Sequence, residues 1–202
     1  ALGPEDAARA ALRLASALAV AGGIVFASLR AAEHLLGDGL LHMGVLGMID
    51  ARGLGWSDVP WNNNAPLSYW VLQTVHQAGR SWWSSPEVSM RTVSIASGVV
   101  YLALAVAVAR RSADAAAARA LVLGFLATAG YVQLFAGHAE IYGILMAALL
   151  AHMHAALRDL PSSRFPWMAA CTLGVLVPIH PMTVAPLPSP LLLAAVPAEW
   201  AG

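Results

Sequence analysis

Residues 93–109 read VSIASGVVYLALAVAVA, without one charge, and they stop at Arg110-Arg111. A run this long and apolar suits a helix inside a bilayer, because about 20 residues cross a hydrocarbon core of roughly 30 Å and arginines then meet the headgroups. The pattern repeats on either side. Leu12–Leu29 is a first run, and its Gly22-Gly23 pair suits close helix packing. Ala118–Phe135 is a third, Ile141–Leu157 a fourth and Trp167–Ile179 a fifth, while Leu191–Val196 opens a sixth. The expected fold is all-α: a polytopic transmembrane helical protein of about five or six spans.

The composition points the same way. Of 202 residues, 59% are hydrophobic and 11% charged, against about 25% charged in soluble domains. Every one of the eleven cations is Arg and net charge is zero, so no basic patch offers itself to nucleic acid. The single Cys171 allows no internal disulfide. Zinc-protease, nucleophile-elbow and P-loop motifs are absent, which removes support for protease, hydrolase and nucleotidase readings. The first run follows Arg9 and Arg13 but exceeds a signal-peptide core, so it is read as a retained membrane helix. The chain lacks an initial Met and stops just past an apolar run; it is expected to be the N-terminal portion of a longer protein.

Arginine placement orients the spans. Arg9, Arg13, Arg110, Arg111, Arg119, Arg158 and Arg164 fall on one side, read as cytoplasmic. Residues 30–92 form a long loop on the other side, with four arginines offset by five acids. Five of the seven tryptophans lie in that loop (Trp56, Trp61, Trp70, Trp82 and Trp83), as in an interfacial aromatic belt. Two short amphipathic helices are expected within it. One turns Leu40, Leu41, Val45 and Met48 to a single side, and the other turns Leu67, Trp70, Val71 and Val75. Under this orientation Asp38, the His138/Glu140 turn and His180-Pro181 share the extracytoplasmic face.

The polar residues each admit two readings. His34, Asp38 and His42 recur every fourth residue, the spacing of metal ligands on one helical face. Gly37 and Gly39 weaken a helix there, so interfacial polar residues are the plainer reading and a divalent metal stays only an option. Asp58 and Asn62-Asn63-Asn64 suit sugar hydroxyls, or simply a turn. Arg91 suits a phosphate, or marks topology. His138 and Glu140 sit at membrane depth between two runs, where ionisable groups are functional candidates or helix caps. His180-Pro181 either breaks the fifth helix at a cavity or ends it, and His152 and His154, towards the cytoplasmic end of the fourth run, receive no role.

The order of these features resembles the N-terminal part of the C-type glycosyltransferase superfamily. These are polyprenyl-phosphate-sugar-dependent membrane enzymes of the protein mannosyltransferase and lipid A aminoarabinose transferase kind. Asp38 matches the acid of their first loop. Asn64-Ala65-Pro66-Leu67-Ser68-Tyr69-Trp70 is similar to their Lys-Pro-Pro-Leu-x-x-Trp segment. Ser89-Met90-Arg91-Thr92-Val93-Ser94 is similar to the Arg-Leu-Pro-Ser run that opens their second helix, and Gly137 to Tyr142 is similar to a Glu-x-Tyr turn. Gly39 stands where the family usually has a second acid, and Asn64-Ala65 where it has Lys-Pro.

The resemblance implies one transmembrane module over residues 1–202 with the 30–92 loop outside. It also implies transfer of a sugar from a polyprenyl-phosphate donor to a lipid, glycan or protein acceptor, in a multi-pass protein of the bacterial inner membrane. Asp38 would be the catalytic base, with Arg91, His138, Glu140, Asp58 and Asn64 around the substrates. The expected partners are the lipid-linked donor and membrane lipids. The other reading is a non-catalytic polytopic protein or a transporter of similar topology.

Overall fold

The computed structural model describes residues 4–28, 39–55, 64–129, 132, 136–160 and 165–195. Helix is the regular structure of these residues, joined by turns, and they contain no strand. In chain order they form α1 (Pro4–Ser28), α2 (Gly39–Arg52), α3 (Pro66–Ala78), α4 (Pro86–Ser112), α5 (Ala116–Thr128), α6 (Tyr142–Asp159) and α7 (Trp167–Leu176). A 3-10 turn (Pro181–Val184) and α8 (Ser189–Ala195) follow.

The spine is α4. It begins at Pro86, two turns before the apolar run, because local chemistry starts a helix there. Ser85 is extended and its hydroxyl accepts the Val88 N–H, Pro86 occupies the first turn, and Glu87 complements the positive end of the dipole. Arg110 and Arg111 close the last turn, where cations are favoured. Among the described residues α4 is the one helix long and apolar enough to cross a membrane. The expected third and fifth runs are shorter as helices: α5 has 13 residues and α7 has 10, rises of about 20 and 15 Å against a core of roughly 30 Å.

Helices α1, α5 and α6 pack around α4, and α7 and α8 pack on α6. Phe26, Tyr101, Leu102, Ala105, Leu126 and Leu150 centre the first core, where the Tyr101 hydroxyl donates to the Leu126 carbonyl at 3.0 Å. Gly22 lets α1 approach, since a β-carbon there would strike Leu102. A second core joins Leu46 and Ile49 of α2 and Leu72 of α3 to Met90 and Val93 of α4, with Ala139 and Ile141 beside them. A third joins Leu145 of α6 to Leu173, Leu176 and Ile179.

The two short loop helices exist, but their inward faces are not the ones expected. Gly39, His42, Leu46 and Ile49 are buried on α2, whereas Leu40, Leu41 and Met48 are exposed. On α3 the buried set is Ser68, Tyr69, Leu72, Gln73 and His76, and Trp70 is 47% exposed. Ser68 and His76 turn inward because their hydrogen-bond partners lie there, on Ile179, α2 and α4.

Candidate functional site

The site is built on residues 136–141, the link into α6. Gly137 has φ 87°, a left-handed conformation open to glycine, and a β-carbon there would strike the Phe26 carbonyl. The Gly137 N–H donates to Ser94 Oγ at 3.1 Å, and its carbonyl accepts from Arg91 Nε at 3.0 Å. Arg91 Nη2 reaches the Ala27 carbonyl at 3.5 Å. The link is therefore pinned between the C-terminal end of α1 and the first half of α4.

Pinning the link places Glu140. Its N–H donates to the His138 carbonyl at 2.9 Å, and its side chain is carried inward until the residue is 6% exposed. There Oε1 accepts the backbone N–H of Gly39 at 3.3 Å. Gly39 is the first residue of α2, so the carboxylate lies at the positive end of that helix. Only a glycine fits so close, since a β-carbon at 39 would strike the Ala139 carbonyl and stand 2.9 Å from Glu140 Oε1.

The start of α3 reaches the same end of the bundle. The Leu67 N–H donates to the Pro178 carbonyl at 2.8 Å and Ser68 Oγ to the Ile179 carbonyl at 2.9 Å. Next to that contact, His180 Nδ1 accepts the Met182 N–H at 3.2 Å and its ring lies 5.4 Å from that of Tyr142. Asn64 is exposed, while its neighbour Ala65 is buried in the same core as Ala139 and Ile141. Arg91, His138 and Glu140 are thus brought together with Gly39, with the His180 turn and the start of α3 close by. Asp38 and Asp58 lie outside the described residues. Arg91 is engaged with two backbone carbonyls, which is the geometry of a tie between helices.

Two clusters escape sequence reasoning. His76 Nε2 lies 3.1 Å from Asp50 Oδ2, and its Nδ1 lies 2.9 Å from Ser89 Oγ. Arg80 Nε lies 3.0 Å from Asp50 Oδ1, and Arg80 Nη2 donates to the Asp50 carbonyl at 2.8 Å. Acid, imidazole and hydroxyl stand in the order of an acyl-transfer triad. Ser89, however, is 1% exposed and its hydroxyl also donates to the Pro86 carbonyl at 2.8 Å. An attacking oxygen needs an open face, so this cluster is a clasp joining α2, α3 and α4.

The second cluster is His152 of α6. Its Nδ1 lies 3.0 Å from Thr172 Oγ1 of α7 and its Nε2 lies 2.8 Å from Ser189 Oγ of α8. His152 received no role from sequence, yet it is buried and joins three helices. Spacing within one helix carried no signal for either cluster, because each partner comes from a different helix. Among the described residues no three His, Cys, Asp or Glu side chains are grouped as metal ligands.

An apolar groove of about 410 Å³ runs between α3, α4 and α6, lined among others by Val71, Val75, Ala96, Val100, Ile144 and Ala148. Its Val93 and Ile144 also pack with Ala139 and Ile141, on either side of Glu140. Comparison with family models, with curated proteins and with solved structures finds no match to this chain.

Proposed function

We propose that the chain is the core of a multi-pass membrane glycosyltransferase of the bacterial inner membrane. It takes a sugar from a polyprenyl-phosphate donor at the extracytoplasmic face and passes it to a lipid, glycan or protein hydroxyl. The observation that carries the reading is the contact of the Gly39 N–H with the Glu140 carboxylate. It ties the residue that follows Asp38 in sequence to a second acid more than a hundred residues away. A carboxylate base takes the acceptor's hydroxyl proton, the acceptor oxygen bonds to the anomeric carbon, and the bond from that carbon to the phosphate oxygen breaks. Polyprenyl phosphate then leaves with the bonding pair. Asp38 and Glu140 are the two candidates for the base, and His138 lies on the same turn. The groove between α3, α4 and α6 suits an apolar chain, and Arg91 positions the Glu140 turn rather than binding phosphate.

Exposed apolar side chains support a lipid setting. Leu12, Val20 and Ile24 of α1, Leu121 and Phe125 of α5 and Leu191 and Leu192 of α8 all face outward. Water penalises so much apolar surface, and lipid does not. The shorter helices then span by local thinning of the bilayer and snorkelling of flanking residues.

One observation favours a transporter instead. His152 sits between three apolar helices rather than at the polar end, and ionisable groups inside spans mark transport pathways. The deciding experiment measures sugar transfer from a panel of polyprenyl-phosphate donors by the full-length protein in membranes, with Asp38→Asn and Glu140→Gln beside the wild type. Loss in one variant at normal insertion identifies the base. Undiminished transfer in both sinks the assignment, and no transfer by the wild type with any donor turns attention to transport.

A further inference from the structure

We propose that the seam between α2 and α3 is a recognition site for a neutral hydroxyl oxygen, from water or from a sugar, bound by Tyr69 Oη and Gln73 Nε2 beside His42. Tyr69 and Gln73 lie one turn apart on the buried stripe of α3, and they are 4% and 6% exposed. Neither Tyr69 Oη nor Gln73 Nε2 has a hydrogen-bond partner among the described residues, and Gln77 Nε2, one turn further on, has none either. Across the seam the buried His42 ring of α2 faces the Tyr69 ring, with centroids 5.8 Å apart.

Buried polar groups are nearly always hydrogen-bonded, because an unpaired donor forfeits its bonds to water and gains nothing in return. One orphan is an accident of packing. Three on successive turns of one helix describe a surface made for something polar. The seam cannot relax by drifting apart, since the Asp50–His76 contact clamps α2 to α3 further along.

The donors also select the ligand. An amide N–H₂ only donates and a phenol both donates and accepts, so the ligand must carry a hydrogen-bond acceptor, as a hydroxyl oxygen does. Burial raises the Tyr69 phenol above its ordinary value, which keeps it a neutral hydroxyl. His42 follows Gly39 by one turn of α2, and Gly39 touches the Glu140 carboxylate. An anion would meet that charge, whereas a neutral hydroxyl would not. A sugar hydroxyl bound here would be the acceptor hydroxyl, held beside His42 on the helix whose first residue contacts Glu140. That assignment rests on the transferase reading, while hydroxyl binding itself does not.

The test uses thermal unfolding of the full-length protein in lipid nanodiscs, comparing wild type, Tyr69→Phe and Gln73→Met, each with and without methyl mannopyranoside at about 100 mM. Both substitutions keep the shape of the side chain. If a hydroxyl oxygen is bound, each lowers Tm by roughly 2–4 °C, and the double variant falls by less than the sum, because the two donors share one ligand. Glycoside that raises the wild-type Tm but not that of Gln73→Met identifies a sugar hydroxyl. Lowered Tm in the variants without a glycoside effect identifies water and removes the acceptor role. Variants as stable as the wild type, or more so, overturn the proposal, because deleting an orphaned donor relieves a cost. None of these readings uses sugar transfer, so the failure of that activity would leave them standing.

Discussion

Gly39→Ala tests whether the first turn of α2 is fitted to the Glu140 turn. The added β-carbon would strike the Ala139 carbonyl and stand 2.9 Å from Glu140 Oε1, so α2 must retreat and its N–H must leave the carboxylate. A hydrogen bond to a charged group contributes about 1.5–3 kcal/mol, and at 3.3 Å this one belongs at the low end. Overpacking adds about 1–3 kcal/mol. Alanine's better helix propensity returns at most about 1 kcal/mol. The net loss is about 2–4 kcal/mol, a fall in Tm of roughly 5–12 °C for a chain of this size. Gly44→Ala, on the same helix with nothing within 4 Å of the new β-carbon, is the control. It should gain about 0.5–1 kcal/mol. Thermal unfolding in a fixed detergent reads both. If Gly39→Ala were as stable as Gly44→Ala, the contact between α2 and the Glu140 turn would be refuted, and with it the pairing on which the proposed site rests.

Four further outcomes are expected. His76→Leu should cost about 2–4 kcal/mol in denaturant unfolding, less than a fully buried pair, because Asp50 is 34% exposed. Arg91→Lys keeps the charge but cannot hold both backbone carbonyls. It should lower Tm by a few degrees and leave the KM for the lipid-linked donor unchanged, whereas a raised KM would return Arg91 to a phosphate role. Replacing the true base by its amide should cut sugar transfer by about 10²–10⁴-fold with little change in KM. Because burial raises the folded-state value of Tyr69, the stability it protects is complete below pH 10.0, the ordinary phenol value, and is lost as pH rises beyond it. Stability measured from pH 9 to about 11 should therefore fall more steeply in the wild type than in Tyr69→Phe.

The sequence by itself determined what nearest neighbours along the chain decide. Apolar runs marked the long helices, and Gly22 proved to be a point of close approach. Ser85-Pro86-Glu87 carried the true start of α4, although the apolar run alone suggested Val93, because capping rather than apolarity begins a helix. Arg91, His138 and Glu140 stood out as charged or ionisable groups beside apolar runs, and they do meet at one turn. Tertiary structure alone decided which way the helices face. In a chain this apolar both sides of α2 carry apolar residues, so periodicity names no inward face, and His42 rather than Leu41 is buried. It alone joined Gly39 to Glu140, Asp50 to His76 and Ser89, and His152 to Thr172 and Ser189. Those bonds form between helices that share no local register, and only packing brings their ends within 3.3 Å or less.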